Sequence, residues 1–463
     1  MEDYQSVIAA KRRQAESCGF SISDSEMHSS LFDHQRAIVK WAARVGRCAI
    51  FADTGLGKTR MQLDWARLVS ERTSRPVLVL APLAVGDQTL AEAADMGLDA
   101  CWAESGESPI RVLNYDRLHR IDPACFAGVV LDESSILKAY DGKTRVALTE
   151  AFADTTYRLA CSATPAPNDH TELGTHAEFL GVCTREEMLA EYFVHDGGDT
   201  SKWRLKGHAR TDFWRWVSSW AVMVRKPSDL GFENGRYDLP PLRLHTVTVE
   251  HHREVEDGML FASAAMTLTD QRQVRRDSLA DRCAAVAELI DCEPDERWLV
   301  WCELNDEGDE LERLIPGSIQ VAGSTSNDAK RDAMLGFARG EVPVLITKAK
   351  IAGFGMNWQK CARMAFVGTT HSYEQWYQAV RRCWRFGQTR DVVVYMVETT
   401  ADTAVSKNLA RKTEKAAEMA AEMARMVRDH QLASVFGRRP ANMIMPGEPM
   451  RIPGWLGGQN DQS

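Results

Sequence analysis

"CAIFADTGLGKTRMQLDWARLV" (residues 48–69) packs three kinds of local structure into one stretch. Cys48–Phe51 is a short apolar run of buried-strand type, the two glycines make a turn, and "RMQLDWARLV" opens a helix. A strand, a glycine turn and a helix in this order form a phosphate-binding loop. Gly55 and Gly57 let backbone N–H groups converge, so Thr54, Gly55, Leu56 and Gly57 form the cradle. Lys58 brings a positive charge to terminal phosphates, the Thr59 hydroxyl can ligate Mg²⁺, and the helix N-terminus adds its dipole. The strict pattern begins with glycine, and Ala52 stands in that place. Taken alone, a tight turn capped by a lysine is the rival reading.

The neighbouring sequence supplies the sheet such a loop needs. "PVLVLAP" (76–82), "IRVLNYDRL" (110–118), "GVVLDE" (128–133) and "YRLACSAT" (157–164) are further apolar runs with helical stretches between them. Continuous apolar strands alternating with helices predict a parallel sheet covered on both faces. Residues 165–245 differ, with Trp203, Trp214, Trp216 and Trp220 clustered among basic residues. "LPPLRLHTVTV" (239–249) reads as a linker entering a new strand. A second series follows in "RWLVWC" (297–302), "SIQVAG" (318–323), "VPVLITK" (342–348), "RMAFVG" (363–368) and "DVVVYMV" (391–397). A short helix is expected at 4–16 and a long one over 401–430, with an irregular tail after about 436.

The run "VVLDESSILK" (129–138) places two acids directly after a strand. A helix cap would use only one of them. A phosphate loop requires an acid at a neighbouring strand end to hold Mg²⁺ through water, which suits Asp132, and Glu133 beside it can orient or deprotonate the attacking water.

Composition limits the alternatives. The 463 residues are 44% hydrophobic and 26% charged, enough for a large core, so disorder is not the default. A net charge of −9 excludes a whole-chain basic footprint, and any polyanion contact must come from a local patch. Eleven scattered cysteines without a C-x2-C pair give no zinc-finger spacing and suit a reducing compartment. No signal-peptide core or long apolar span occurs, so the expectation is a cytoplasmic protein, not a membrane one.

In this order, "ADTGLGKT", "LDESSILK", "CSATPAPND", "AGFGMN" and "QAVRRCWRFGQ" resemble motifs I, II, III, V and VI of superfamily-two helicases. The chain is most similar to Swi/Snf-type DNA translocases, in the "TGLGKT" form and the "RFGQ" ending, and to their compact bacteriophage and bacterial members. The resemblance covers about residues 31–400. It implies an α/β protein of two RecA-like parallel-sheet lobes in tandem with a C-terminal helical extension. The expected divisions are an N-terminal segment (1–30), lobe 1 (31–238) with a Trp-rich helical insertion over about 166–238, lobe 2 (239–400), and a C-terminal helix and tail (401–463). ATP and Mg²⁺ would sit between the lobes.

Residue by residue, the resemblance makes Gln35 of "LFDHQ" the adenine reader. It makes Ser162–Thr164 the coupling motif, although turn chemistry before Pro165 explains them as well. Gly353, Gly355 and Asn357 become the glycine loop of lobe 2, and Arg382 and Arg385 the arginines that reach ATP from the opposite lobe. At i, i+3 on a helix those two would share a face, and a guanidinium suits bidentate contact with phosphate. Gln378 would hydrogen-bond nearby. Arg381, Trp384 and the serines of "DESS" depart from the usual pattern, which leaves coupling open. Asn114, Tyr115, Ser324, Lys348 and Lys350 correspond to positions that track a nucleic-acid backbone without reading sequence. The basic and aromatic "KWRLKGHARTDFWRW" (202–216) could be a stacking platform, but Phe213, Val217, Trp220 and Val224 recur at helical spacing and suit a core better. The expected partner is duplex DNA. RNA, and an ATP-binding clamp of little turnover, are the alternatives.

Overall fold

The computed structural model describes residues 17–138, 142–166, 169–196, 199–249, 276–352, 357–368, 373–399 and 403–436. The short helix expected at 4–16 lies outside them. The strands are β1 (Arg47–Ala52), β2 (Val77–Ala81), β3 (Ala100–Trp102), β4 (Ile110–Asn114), β5 (Gly128–Asp132), β6 (Tyr157–Ser162), β7 (Phe193–Asp196), β8 (Asp199–Leu205) and β9 (Ala221–Val224). They continue with β10 (Leu242–Val249), β11 (Trp298–Trp301), β12 (Ser318–Val321), β13 (Val344–Thr347), β14 (Arg363–Val367) and β15 (Val392–Thr399). Two parallel sheets hold all but one pair of them, in the orders β3-β4-β2-β5-β6-β1-β9 and β10-β15-β14-β11-β13-β12. The chain is therefore an α/β protein of two parallel-sheet lobes in tandem, as the alternation of apolar runs and helices predicts.

The apolar runs are continuous because both faces of each sheet are covered. Every residue of β2 and β5 is buried. Along β1, Cys48, Ile50 and Ala52 enter a core shared with Trp41 and Trp65, while Ala49 and Phe51 enter another that holds Trp214, Trp216 and Trp220. This is the two-residue period of a strand serving two cores at once.

The Trp-rich segment is more than a helical insertion. It contains the helices Leu173–Phe179, Arg185–Tyr192 and Arg210–Trp220, the antiparallel pair β7–β8, and β9, which pairs in parallel with β1 at the sheet edge. Phe213, Val217 and Trp220 lie on the last of those helices and are fully buried. Val224 is also buried, but on β9, because the helix ends at Trp220.

The C-terminal helix, Thr403–Phe436, is longer than expected. It follows lobe 2 in sequence and docks on lobe 1. Met423 and Val427 enter the core of the tryptophans. Gln431 Oε1 accepts from Met223 N at 2.8 Å, and Trp41 Nε1 donates to Ser434 Oγ at 2.8 Å. Among the described residues no helix is long and apolar enough to cross a membrane. All eleven cysteines are free.

Phe213 meets the rings of Trp214, Tyr192 and Phe193 at 4.9, 5.4 and 5.4 Å. Phe213→Ala should cost lobe 1 about 3–5 kcal/mol in a urea titration followed by tryptophan fluorescence. The same truncation at Leu335, which is 37% exposed, should stay within about 0.5 kcal/mol.

Candidate active site

A parallel sheet delivers the C-terminal ends of its strands to one edge, where open α/β sheets bind ligands. β1 ends at Ala52, and the loop 53–57 leads into the helix Lys58–Thr73. Gly55 and Gly57 have φ of +88° and +78°, which glycine adopts at little cost. A Cβ on Gly55 would stand 3.0 Å from Phe386 N of lobe 2, and one on Gly57 2.2 Å from Gln35 Nε2. The loop needs glycine both for its own turns and for close approach from two sides.

Lys58 Nζ donates to Ala52 O at 2.8 Å and to Asp53 O at 3.3 Å, which folds the ammonium back over the loop. Asp132, at the end of β5, is buried, and its Oδ1 accepts from Gln62 Nε2 at 2.7 Å. Burial raises the proton affinity of this carboxyl, against the Gln62 hydrogen bond and the charges of Lys58 and Arg382. Glu133 follows with φ +55°, a left-handed conformation that costs a non-glycine residue about 1–2 kcal/mol. A single left-handed residue turns the chain sharply out of the strand, and Glu133 lines the same cavity as Lys58. That cavity, of about 230 Å³, is walled by the glycine loop, Thr59, Asp132 and Glu133 on one side and by Arg381, Arg382, Arg385 and Phe386 on the other.

The two arginines reach the cavity by a different route from the one expected. The helix Tyr373–Val380 stops before them, so they stand on a turn and not on one helical face. Cys383 N and Trp384 N both return to Val380 O, and Arg382 O is taken by Trp358 N at 3.0 Å, which closes off the helix. Burial lowers the guanidinium pKa of Arg382 to about 10, helped by the charge of Arg385 and opposed by Glu133 and Asp132. Arg385 is also shifted down, first by burial and then by Arg381. Gln378 is buried and does not line the cavity; its Oε1 accepts from Arg382 Nη2 at 3.0 Å, so it orients that arginine from behind.

Other predicted residues divide in the same way between cavity and support. Gln35 lines the cavity, with its amide engaged: Nε2 donates to Leu56 O and Oε1 accepts from Phe32 N, each at 2.9 Å. Leu56 turns its side chain into the lobe 1 core and can serve the loop only through its backbone. Gly353 and Gly355 lie outside the described residues, and Asn357 is exposed. Ser162 Oγ accepts from Thr164 N at 3.1 Å, which is turn chemistry. Ser134 Oγ lies 3.1 Å from His176 Nε2, so the first serine of "DESS" faces the interior of lobe 1.

Asn114 and Tyr115 are buried. Asn114 Oδ1 accepts from Asp116 N at 3.0 Å, and the Tyr115 hydroxyl donates to Asp132 O at 2.7 Å. Their side chains support the β4 and β5 ends from within and do not present a face to a partner. Ser324 and Lys350 are exposed, and Lys348 donates to Asn305 Oδ1 at 2.6 Å; all three follow the ends of β12 and β13.

Three aromatic residues escaped the motif reading. Phe32, Tyr237 and Phe386 line the cavity mouth, with ring centroids 4.5 Å apart for Tyr237–Phe386, 6.1 Å for Phe32–Tyr237 and 6.3 Å for Phe32–Phe386. Phe32 is 51% exposed, uncommon for so large an apolar ring and fitting for a stacking surface. Phe32 lies within "LFDHQ" and Phe386 within "RFGQ", and that position was the available signal. Asp53, the first residue of the loop after β1, escaped the motif reading as well.

Among the described residues no group of three or more His, Cys, Asp or Glu side chains could hold a metal unaided. One hydroxyl and one carboxylate on the cavity wall, Thr59 and Asp132, could hold Mg²⁺, which keeps waters and takes substrate phosphate oxygens.

Comparison with known proteins adds to this geometry. Residues 281–387 match the helicase conserved C-terminal domain. Over 140 residues the chain is 26% identical to Protein CHROMATIN REMODELING 24 of Arabidopsis thaliana, a stretch covering 29% of this chain and 13% of that protein. Among solved structures it is similar to the Sulfolobus solfataricus SWI2/SNF2 ATPase core in complex with dsDNA. That match has 17% identity and a TM-score of 0.41, and covers 90% of this chain and 99% of the other.

Burial holds the His176 imidazole down to about pKa 4. The unfolded chain accepts a proton near pH 6.5, so the stability His176 contributes is complete above that pH and is lost as pH falls toward 4. Urea midpoints measured across this range should fall in the wild type and fall less in His176→Gln. His34, also held to about 4 by burial, retains part of the slope.

Proposed function

We propose that this protein is a superfamily-two ATPase that couples ATP hydrolysis between its lobes to movement on nucleic acid, and that the nucleic acid is duplex DNA. The observation that carries the reading is the shared cavity. A phosphate loop, two strand-end acids and two arginines from the other lobe converge on one space, and the match to a helicase C-terminal domain, residues 281–387, includes the arginines. The ending Arg385–Gln388, similar to the Swi/Snf branch, puts duplex DNA ahead of RNA.

In this reading the N–H groups of the glycine loop cradle the ATP phosphates and Lys58 neutralises the terminal ones. Phe32, Tyr237 and Phe386 stack on the base. Thr59 and Asp132 would hold Mg²⁺, which when bound offsets charge on the phosphate oxygens. Glu133 orients water for in-line attack and takes its proton. Arg382 and Arg385 contact the transferring phosphoryl group, where charge spreads over the equatorial oxygens. Ser324, Lys348 and Lys350, which follow strand ends of lobe 2, would track a phosphate backbone.

ATPase activity measured without nucleic acid and with single-stranded, duplex and forked DNA and with RNA tests the proposal. Duplex DNA should stimulate most, and stimulation by RNA alone would replace it with an RNA-directed reading. Lys58→Ala and Glu133→Gln should each lower kcat by roughly 100-fold or more. Wild-type turnover in either variant would remove that residue from the mechanism.

A further inference from the structure

The loop between β1 and the phosphate helix makes a second contact with lobe 2, beside the arginines and separate from them. Asp53 is its centre. Its backbone N–H donates to Val224 O at 2.9 Å, and Thr54 N donates to Asp53 Oδ1 at 2.7 Å, so the carboxylate is held in place from its own side. From the other lobe the Tyr377 hydroxyl donates to Oδ1 at 2.5 Å, and Arg381 Nη2 forms an ion pair with Oδ2. The side chains of Arg381 and Asp53 are 5% and 17% exposed. Arg381 is itself fixed. Its Nε donates to the Tyr377 hydroxyl at 3.2 Å, its Nη1 to Trp384 O at 3.3 Å, and its guanidinium lies 4.7 Å from the centre of the Trp384 ring. Trp384 in turn donates through Nε1 to Pro240 O of the interlobe linker at 2.7 Å.

The chain therefore runs without a break from the linker, through Trp384, Arg381 and Tyr377, to Asp53, whose carbonyl receives Lys58 Nζ. Arg381 is also the immediate neighbour of Arg382. An ion pair this buried tolerates neither partner alone, since the survivor is left desolvated and uncompensated.

We propose that Asp53, Tyr377 and Arg381 form a latch that registers lobe 2 against the phosphate loop, so that Arg381 acts as a positioning residue for Lys58 on one side and Arg382 on the other. The latch rests on the ATPase reading only for its kinetic consequence; its effect on lobe closure does not depend on that reading.

The test compares Arg381→Gln, Asp53→Asn, their double variant and Tyr377→Phe in the full chain. Steady-state ATPase kinetics and the radius of gyration from solution X-ray scattering are the two readouts. Arg381→Gln should lower kcat about tenfold or more while KM for ATP moves less than about threefold, because ground-state phosphate contacts survive and alignment does not. It should also enlarge the radius of gyration. The double variant should be no slower than Arg381→Gln, since each single change strands a charge that the second removes. Tyr377→Phe deletes one hydroxyl and keeps the ion pair, so it reports even if a charge variant fails to fold; a smaller loss of kcat at unchanged KM is expected. Wild-type kcat in Arg381→Gln or Tyr377→Phe, or losses that multiply in the double variant, would overturn the latch. A wild-type protein without ATPase activity would refute the ATPase reading instead. Scattering would then decide alone, with equal compactness of wild type and Arg381→Gln counting against the latch.

Discussion

Three guanidinium groups within five residues, at 381, 382 and 385, line the seam between the lobes, the first two of them buried and the third half-buried. Enclosing like charges is costly unless negative charge meets them. Asp53 answers Arg381, and the charges of Asp132 and Glu133 act on Arg382. Burial and mutual repulsion nonetheless shift both Arg382 and Arg385 down. An anion entering the seam beside these guanidinium groups would offset their repulsion. A triphosphate bound there would draw the lobes together, because the repulsion it relieves belongs to one lobe and the loop that cradles it belongs to the other.

This dependence explains why the glycine loop is so constrained. Gly55 is pressed against the Phe386 backbone of lobe 2 and Gly57 against Gln35 of its own lobe, so one turn of the loop sets how near the lobes can come and the other how closely the loop packs on lobe 1. Glu133 carries a comparable constraint on the other side of the cavity, where a left-handed backbone at a charged residue is maintained by the packing around β5. Strain and close approach meet at the point where an anion would bind.

Much of this was legible in the residues. Apolar runs at β1, β2, β5 and β6 announced a two-sided parallel sheet, with Asp132 and Glu133 at the end of one strand and Lys58 at the start of the helix after another, where such a sheet gathers its loops. What stayed hidden depended on distance in sequence. β9 is a four-residue strand next to a tryptophan helix, too short to separate from it by periodicity. The place of Arg382 and Arg385 on a turn follows from Trp358 capturing a carbonyl, a contact no local pattern reports. Asn114 and Tyr115 resembled backbone-tracking positions, yet their side chains hold up the strand ends. Nothing local singles out Asp53, since its partner Arg381 is 328 residues away.

The C-terminal helix leaves lobe 2 and ends embedded in lobe 1, with Met423 and Val427 among the tryptophans and Gln431 on β9. The polypeptide consequently passes from one lobe to the other twice, once through the segment before β10 and once through this helix. A single tether would let two bodies swivel freely about it. A second, anchored elsewhere, leaves mainly rotation about the line joining the two, as a pair of hinges does for a door.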